Sequence, residues 1–282
     1  MAESDHQAMG PRDQRDAARR EAPSAAVVFE AIRRAGESEL HRPLAGLAWS
    51  ALAAGLSMGF SFVSQALLHT YTPDASWQPI ITSFGYSIGF LIVILGRQQL
   101  FTENTLTPIL ELLREKRLPT LYRTAQLWAV VLIGNMLGAL LFALAIAHTD
   151  IFEPGVRESL SLLASHEFGE TFGTAFFKAV FAGWLIALMM WLMPFAETAR
   201  VGVIIIVTYV IGLAGFFHII AGSVAALYAV AIGMHGLGEF LSEFFLPVLL
   251  GNVVGGVALV AAINYAQVSA TAGKSDKQET NE

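Results

Sequence analysis

The sequence of 282 residues contains no cysteine and few charged residues. The absence of thiols excludes disulfides, thiolate catalysis and Cys-ligated metal sites. Charged residues make up 14% of the chain and hydrophobic residues 55%, a composition typical of integral membrane proteins. No basic cluster accompanies the net charge of −6, so nucleic acid is not an expected partner.

The N-terminus also lacks the apolar core of a signal peptide, and both ends of the chain are polar. After the first polar stretch, Val28, Ile32 and Ala35 share one face of a predicted helix. We therefore predict a disordered cytoplasmic tail, an amphipathic cytoplasmic helix, a transmembrane pore domain and a second disordered cytoplasmic tail, at residues 1–23, 24–42, 43–267 and 268–282.

Six apolar segments lie in the pore domain, and about 20 residues suffice to cross a bilayer. They are residues 44–68, 80–113, 121–147, 172–194, 200–233 and 243–266. The second and fifth segments would each be about 50 Å long as continuous helices, well beyond a hydrocarbon core of about 30 Å. We therefore predict an all-α membrane protein with six transmembrane helices, of which helices 2 and 5 are broken.

A short polar motif interrupts each of these two long segments. The first motif is Gly96-Arg-Gln-Gln-Leu-Phe-Thr-Glu-Asn-Thr105 and the second is Gly215-Phe-Phe-His-Ile-Ile-Ala-Gly-Ser223. Phe101 and His218 are 117 positions apart (218 − 101). The same offset joins Gly134 and Asn135 to Gly251 and Asn252.

This constant offset indicates an inverted 3+3 repeat, with repeat one at about residues 43–147 and repeat two at about 172–267. Transporters use a broken membrane helix in each half to build a binding site near the membrane midplane. The pattern therefore favours passage of a solute across the lipid bilayer.

Basic residues concentrate on one side of the predicted spans. Seven precede the first span and four follow the second, namely Arg12, Arg15, Arg19, Arg20, Arg33, Arg34 and Arg42, then Arg114, Lys116, Arg117 and Arg123. The positive-inside bias therefore predicts that both termini are cytoplasmic.

The loops on the other side contain one basic residue, Arg157, and eight acidic residues. These acids are Asp74, Asp150, Glu153, Glu158, Glu167, Glu170, Glu239 and Glu243. They are consistent with ordinary topology bias. They are also consistent with an outer mouth that repels anions and concentrates cations or protons.

The first interruption contains Arg97 and Glu103, which are too polar to face lipid. Ionisable groups inside a membrane are functional candidates. Alternatively, Arg97 and Glu103 form a charge pair that ties the broken segment together, because burying either charge alone would be costly. The hydroxyl of Thr102 can both donate a hydrogen bond to a small solute and accept one from it.

The second interruption contains His218, the only one of the seven histidines that lies deep in a predicted span. One deep histidine does not suffice for a haem or metal site, so no cofactor or metal is expected. A lone buried histidine can be purely structural, but its place at an interruption and its titration near neutral pH favour a functional role. Ser223 has no visible triad partners and no Gly-x-Ser-x-Gly motif, so enzymatic activity is not expected.

Small residues follow each interruption at helical spacing, beginning at Gly134 and Gly251. Small-x-x-x-small spacing lets helices approach closely, so these positions are interpreted as scaffold. We expect Asn135 and Asn252 to form hydrogen bonds across the interface between the two repeats.

Taken together, these motifs resemble the formate–nitrite transporter family, over about residues 40–266. The matching runs are Leu100-Phe101-Thr102, Gly134-Asn135 with Gly138-Ala139, Phe176-Phe177-Lys178 with Trp184-Leu185 and Trp191, Gly215-Phe216-x-His218, and Leu246-Pro247 with Gly251-Asn252 and Gly255-Gly256. Within the family, the residues around Arg97 and His218 are most similar to the YfdC-like branch of inner-membrane proteins.

The resemblance implies an aquaporin-like fold in a bacterial inner membrane and a homopentamer with one pore per protomer. It implies that small monovalent anions such as formate or nitrite pass between two apolar constrictions. By position, Leu100 and Phe90 would form the cytoplasmic constriction, and Tyr86 and Ile211 the outer one. His218 would be the central protonatable residue and Thr102 its partner.

Three positions depart from the family pattern. Phe217 stands where relatives have an acid, Gly222 where they have asparagine, and Glu167 in the outer vestibule where they have a lysine. Lys178 aligns with a basic position nearer the span. A change from lysine to glutamate reverses the local potential and agrees with the acidic loops.

The sequence thus favours a channel or transporter for small monovalent anions or their weak acids. Two alternatives remain open: a channel for a neutral or cationic small solute, and a non-conducting regulatory pentamer.

Overall fold

The structure, a computed structural model, describes residues 23–270, which form helices and connecting turns without a β-strand. The predicted tails fall almost wholly outside this range, although the last helix continues to Ala270. The helices are α1 Ala25–Leu40, α2 Leu44–Tyr71, α3 Gln78–Leu95, α4 Thr107–Glu115, α5 Leu118–Ala147, α6 Pro154–Ser165, α7 Phe172–Leu192, α8 Arg200–Leu213, α9 Ile219–Ala231 and α10 Leu237–Ala270.

Within residues 23–270, five helices are long and apolar enough to cross a membrane, namely α2, α3, α5, α7 and α10. The sequence predicts six apolar spans, and the difference lies in residues 200–233. That segment is divided into α8, with 14 residues, and α9, with 13 residues. At 1.5 Å per residue each is only about 20 Å long.

Glycines hold the long helices close together in pairs. A Cβ on Gly55 of α2 would lie 2.2 Å from the carbonyl oxygen of Asn135 in α5. A Cβ on Gly183 of α7 would lie 2.4 Å from the carbonyl oxygen of Asn252 in α10. Because backbone atoms cannot move aside as side-chain tips can, larger residues are excluded at both contacts.

The last long helix contains two π-helical stretches, Phe240–Phe245 and Gly255–Ala262. Such stretches insert an extra residue into a helical turn and change the direction of the side chains that follow. Phe244, in the first stretch, is fully buried, and its ring centroid lies 5.9 Å from that of Phe217.

The first helix is fixed to α4 by a buried ionic cluster around Arg33, whose exposed fraction is 5%. The guanidinium group contacts Glu30 at 2.7 Å and Glu37 at 3.0 Å in the same helix. It also contacts Glu111 of α4 at 2.5 Å. Both partners of this last pair are buried, so each depends on the other for its charge compensation.

Replacing Arg33 by alanine would leave the Glu111 carboxylate buried and unpaired. We expect the free energy of unfolding to fall by about 3–5 kcal/mol, the usual cost of breaking a buried pair. The matched control is Arg34→Ala, since the side chain of Arg34 is 72% exposed and pairs with Glu30. For that variant we expect the free energy of unfolding to fall by about 1 kcal/mol or less. Equal midpoints in thermal unfolding of the detergent-solubilised variants would contradict the cluster's structural role.

Candidate functional site

The two interruptions meet at a contact between Thr102 and His218. Thr102 Oγ1 lies 2.7 Å from His218 Nε2, and the two residues are 0% and 1% exposed. His218 is the N-cap of α9, and its Nδ1 accepts hydrogen bonds from the backbone N–H groups of Ile220 and Ala221 at 3.2 Å. The structure therefore brings together a hydroxyl and an imidazole that are 116 residues apart in the chain.

The hydrogen bonds around His218 define its tautomer. Because Nδ1 accepts from two backbone N–H groups, a neutral ring must carry its proton on Nε2. Nε2–H then donates to Thr102 Oγ1. The hydroxyl hydrogen of Thr102 is left available for a further acceptor, such as an oxygen atom of a solute.

Apolar side chains surround this contact on the α3 side. The ring of Phe90 meets His218 edge-on, with centroids 5.0 Å apart, and Tyr86 lies 5.3 Å beyond Phe90. The exposed fractions of Phe90, Leu100 and Ile211 are all 0%, and that of Tyr86 is 9%. The four residues expected to form constrictions therefore belong to one buried core around the polar contact.

Asn135 satisfies the backbone of the first interruption. Its Oδ1 accepts from the N–H of Phe101 at 2.9 Å, and its Nδ2 donates to the carbonyl groups of Gln99 and Ala51 at 2.9 and 2.7 Å. All of these groups lie in the first half of the chain.

Asn252 repeats this arrangement in the second half. It accepts from the N–H of Ile219 at 2.8 Å and donates to Phe217 and Ala179 at 2.9 and 2.8 Å. The expectation that Asn135 and Asn252 bond across the two halves is therefore wrong. Each amide is saturated by the backbone groups that its own interruption leaves without helical partners.

Arg97 and Glu103 line a cavity of 690 Å³ at the end of the bundle that holds α1, the α1-side cavity. No ion pair joins them within residues 23–270, and Glu103 Oε1 is buried without a hydrogen-bond partner. The expected charge pair is therefore not formed. Arg97 lies at a turn with φ of +51° and is exposed, so its side chain is solvated without Glu103.

Glu39 of α1 also lines the α1-side cavity, and the sequence interpretation missed it. Its carboxylate accepts from Thr107 at 2.6 Å and from Gln99 at 3.4 Å. Burial raises the pKa of Glu39, and these two hydrogen bonds oppose the shift. No local pattern distinguishes Glu39 from other acids of an amphipathic helix, because its burial arises from the docking of α1 on α4.

A second cavity, of 530 Å³, lies at the opposite end, between the α6–α7 loop and a floor that includes Tyr86 and Ile211. Glu167 lines this loop-side cavity with Glu170 and Lys178. Burial raises the pKa of Glu167 to about 8, and the positive charge of Lys178 opposes the shift. Lys178 itself is paired with Glu170 at 2.5 Å.

Within residues 23–270, no three His, Asp or Glu side chains lie close enough together to hold a metal ion. The groups available at the site are instead one imidazole, one hydroxyl and the carboxyl groups of the two cavities. This arrangement can exchange hydrogen bonds or protons with a small solute.

Comparison with known proteins identifies relatives that share this architecture. The sequence profile described as "Formate/nitrite transporter" matches residues 26–266. The inner membrane protein YfdC of Escherichia coli (strain K12) is 38% identical over 247 residues, covering 87% of this chain and 80% of the relative. The formate channel BtFdhC of Bacillus thuringiensis is 24% identical over 248 residues, covering 85% and 93%.

Two solved structures have the same fold. A pentameric formate channel with formate bound has a TM-score of 0.68 and 21% identity, covering 80% of this chain and 97% of that one. An ion channel of the same family has a TM-score of 0.67 and 21% identity, covering 86% and 98%. The all-helical fold, the profile match and the YfdC relative together show that this chain belongs to the formate/nitrite transporter family.

Proposed function

We propose that this protein is a pore through which small monovalent anions of the formate or nitrite class cross a membrane as their weak acids. The observation that carries the proposal is the buried contact of 2.7 Å between Thr102 and His218. This contact joins one side chain from each interruption in apolar surroundings, in a chain that belongs to a family of transporters and channels.

The pore is formed by an aquaporin-like inverted 3+3 repeat, in which α3 with α4 is the second span and α8 with α9 the fifth. The constant sequence offset and the matching hydrogen bonds of Asn135 and Asn252 support this arrangement. Gly134 and Gly251 belong to the scaffold, since a Cβ there would lie 2.6 Å from Ala51 Cβ and 2.3 Å from the Phe176 carbonyl oxygen respectively.

The assembly is a homopentamer in a bacterial inner membrane. The pentameric formate channel of similar fold and the inner membrane protein YfdC support this proposal. In the proposed orientation both termini and the α1-side cavity are cytoplasmic and the loop-side cavity faces outward, and the positive-inside bias of the sequence supports this orientation.

The hydrogen-bonded pair of Thr102 and His218, the central pair, lowers the free-energy barrier that a dry apolar constriction presents to an anion. Burying an unpaired anion among Phe90, Leu100, Tyr86 and Ile211 is far more costly than burying its neutral acid. The Thr102 hydroxyl donates to an oxygen of the anion, and Nε2–H of His218 polarises that hydroxyl. A proton taken up from water in the cavity on the side of entry converts the anion to its acid, which crosses the apolar residues at much lower cost.

The proposal is tested by solute flux into proteoliposomes that contain the purified protein. Formate, acetate, nitrite, urea and methylammonium are compared at pH 5.5 and 7.5 against protein-free vesicles. We expect flux of the weak acids above that of protein-free vesicles, and faster at the lower pH. Selective flux of methylammonium or urea instead would favour the alternative function, a channel for a cationic or neutral solute, which the acidic loop-side cavity supports.

Replacing Thr102 by valine removes the hydroxyl and preserves the shape of the side chain. We expect formate flux to fall about tenfold or more, as for the loss of one hydrogen bond to a charged group. Thr102→Ser keeps the hydroxyl and is expected to retain most of the flux. If Thr102→Val and Thr102→Ser transport formate equally well, the hydroxyl does not contact the solute.

A further inference from the structure

The carboxyl group of Glu167, which lines the loop-side cavity, occupies space beside Gly222 that a side chain at position 222 would otherwise fill. A Cβ built on Gly222 would lie 2.8 Å from Glu167 Oε2 and 2.5 Å from Cζ of Phe244. Gly222 follows His218 by one turn of α9. Because Gly222 has no side chain, the carboxyl group of Glu167 can lie against α9 one helical turn after His218.

Glu167 Oε2 is buried and has no hydrogen-bond partner. The lysine of the same cavity is already engaged, because Lys178 Nζ lies 2.5 Å from Glu170 and 5.0 Å from the ring centroid of Phe217. A buried acceptor without a donor is rare in folded proteins. Glu167 lines the loop-side cavity, so a molecule bound there can supply the donor once the carboxyl group turns toward it.

The groups around Glu167 leave the cavity without excess positive charge. The ionisable residues that line it are Tyr86, His166, Glu167, Glu170 and Lys178, and Glu243 reaches the nearby N–H of Gly169 at 3.3 Å. Since Lys178 is balanced by Glu170, an ionised Glu167 makes the cavity negative. A carboxylate solute would then be repelled, whereas a solute with an acidic O–H group would find its acceptor.

We propose that Glu167, admitted by Gly222, is the specificity-determining residue of the loop-side cavity and selects the neutral, protonated form of a small weak acid. This inference rests on the proposed function. The O–H group of the acid donates to the carboxyl group of Glu167, and no covalent bond changes. The acid then passes the Thr102–His218 pair, where the Thr102 hydroxyl donates to its carbonyl oxygen.

The discrimination against anions is expected to vary with pH. Burial raises the pKa of Glu167 to about 8, so the carboxyl group is mostly protonated below pH 8 and ionised above it. Repulsion of the anion therefore strengthens as the pH rises through 8. Glu167→Gln cannot ionise and is expected to lose this dependence.

The experiment compares two fluxes of formate in the same proteoliposomes. A pH-sensitive dye in the lumen reports acid flux, and a membrane-potential dye reports anion flux. In Glu167→Lys we expect the ratio of anion to acid flux to rise by about tenfold or more, because charge at a pore mouth changes the local solute concentration on this scale. At pH 8.5, where Glu167 is ionised, Glu167→Gln is expected to raise the ratio less than Glu167→Lys does. At pH 6, where Glu167 is protonated and neutral, Glu167→Gln is expected to leave the ratio unchanged.

Gly222→Ala tests the steric part of the proposal. The three atoms nearest to the new Cβ belong to the side chains of Glu167 and Phe244 and none belongs to the backbone, so these two side chains must shift while the backbone can stay in place. We expect the ratio to change in the same direction as in Glu167→Gln, and the double variant to show no further increase. Glu158→Gln, an exposed acid, and Gly173→Ala, which has no atom within 4 Å of the new Cβ, are the matched controls.

The outcomes separate this inference from the proposed function. Wild-type flux of formate with an unchanged ratio at pH 8.5 in Glu167→Gln, Glu167→Lys and Gly222→Ala would overturn the role of Glu167 alone. Flux of methylammonium that is abolished by Glu167→Gln would overturn it in favour of a cation site. Absence of weak-acid flux in the wild-type protein would overturn the proposed function itself.

Discussion

Formate flux should fall by about 10- to 100-fold when His218 is replaced by alanine, while the protein remains folded. The variant loses the Nε2–H group that polarises Thr102, together with the N-cap of α9. A hydrogen bond to a charged group contributes about 1.5–3 kcal/mol. A change of about 1.4 kcal/mol alters a rate tenfold. The measurement is initial flux in proteoliposomes at matched protein density.

Two further histidine variants show whether the loss concerns the solute or the fold. His218→Asn places a good N-cap residue at the start of α9 and removes the imidazole. We expect it to retain the thermal stability that His218→Ala loses, but not the flux. His148→Ala, at an exposed position after α5, is the control and is expected to transport like the wild type. Full flux in His218→Asn would show that the ring serves only as a cap.

Replacing Asn252 by leucine should destabilise the fold severely. The variant leaves the N–H of Ile219 and the carbonyl of Phe217 buried at the interruption without the partner that now satisfies them. Each unsatisfied group costs about 1–3 kcal/mol. The total of about 2–6 kcal/mol is a large part of the stability of a typical protein. We expect a strongly lowered unfolding midpoint or no folded protein in detergent.

The matched control for this variant lies in the same helix. Asn264 is partly buried and donates one hydrogen bond, to the carbonyl group of Val260 at 2.9 Å. Asn264→Leu is expected to shift the unfolding midpoint only slightly. Asn135→Leu is expected to act like Asn252→Leu, since Asn135 makes the corresponding bonds to Phe101 and Gln99. Equal midpoints for Asn252→Leu and Asn264→Leu would contradict this account of the interruptions.

The positions of the interruptions could be predicted from the sequence because hydrophobic length and polar motifs are local properties. Segments of 34 residues cannot cross a bilayer as straight helices, and the polar runs at 96–105 and 215–223 give the interruption sites. The structure ends α3 at Leu95 and α8 at Leu213, each within two residues of its motif.

The partners of polar side chains could not be predicted in the same way. Asn135 and Asn252 bond within their own halves, because each interruption leaves free backbone groups nearby that the pattern of residue types does not reveal. The ion pair expected between Arg97 and Glu103 does not form, because the turn at Arg97 directs its side chain into solvent.

Contacts between elements that are distant in the chain also could not be predicted from the sequence. The burial of Arg33 depends on the docking of α1 against Glu111 of α4. The position of the Glu167 carboxyl group beside Gly222 depends on the path of the α6–α7 loop. The sequence identified Glu167 and Gly222 as separate departures from the family pattern, and only the structure places them side by side.

The most direct test of the central claim is the acidification of proteoliposome lumens by an inward formate gradient at pH 6. Wild-type protein, His218→Ala and protein-free vesicles are compared. We predict that wild-type vesicles acidify at least about tenfold faster than vesicles with His218→Ala, which should approach the protein-free rate. Equal acidification by wild-type and protein-free vesicles, or by wild type and His218→Ala, would contradict passage of a weak acid through the Thr102–His218 site.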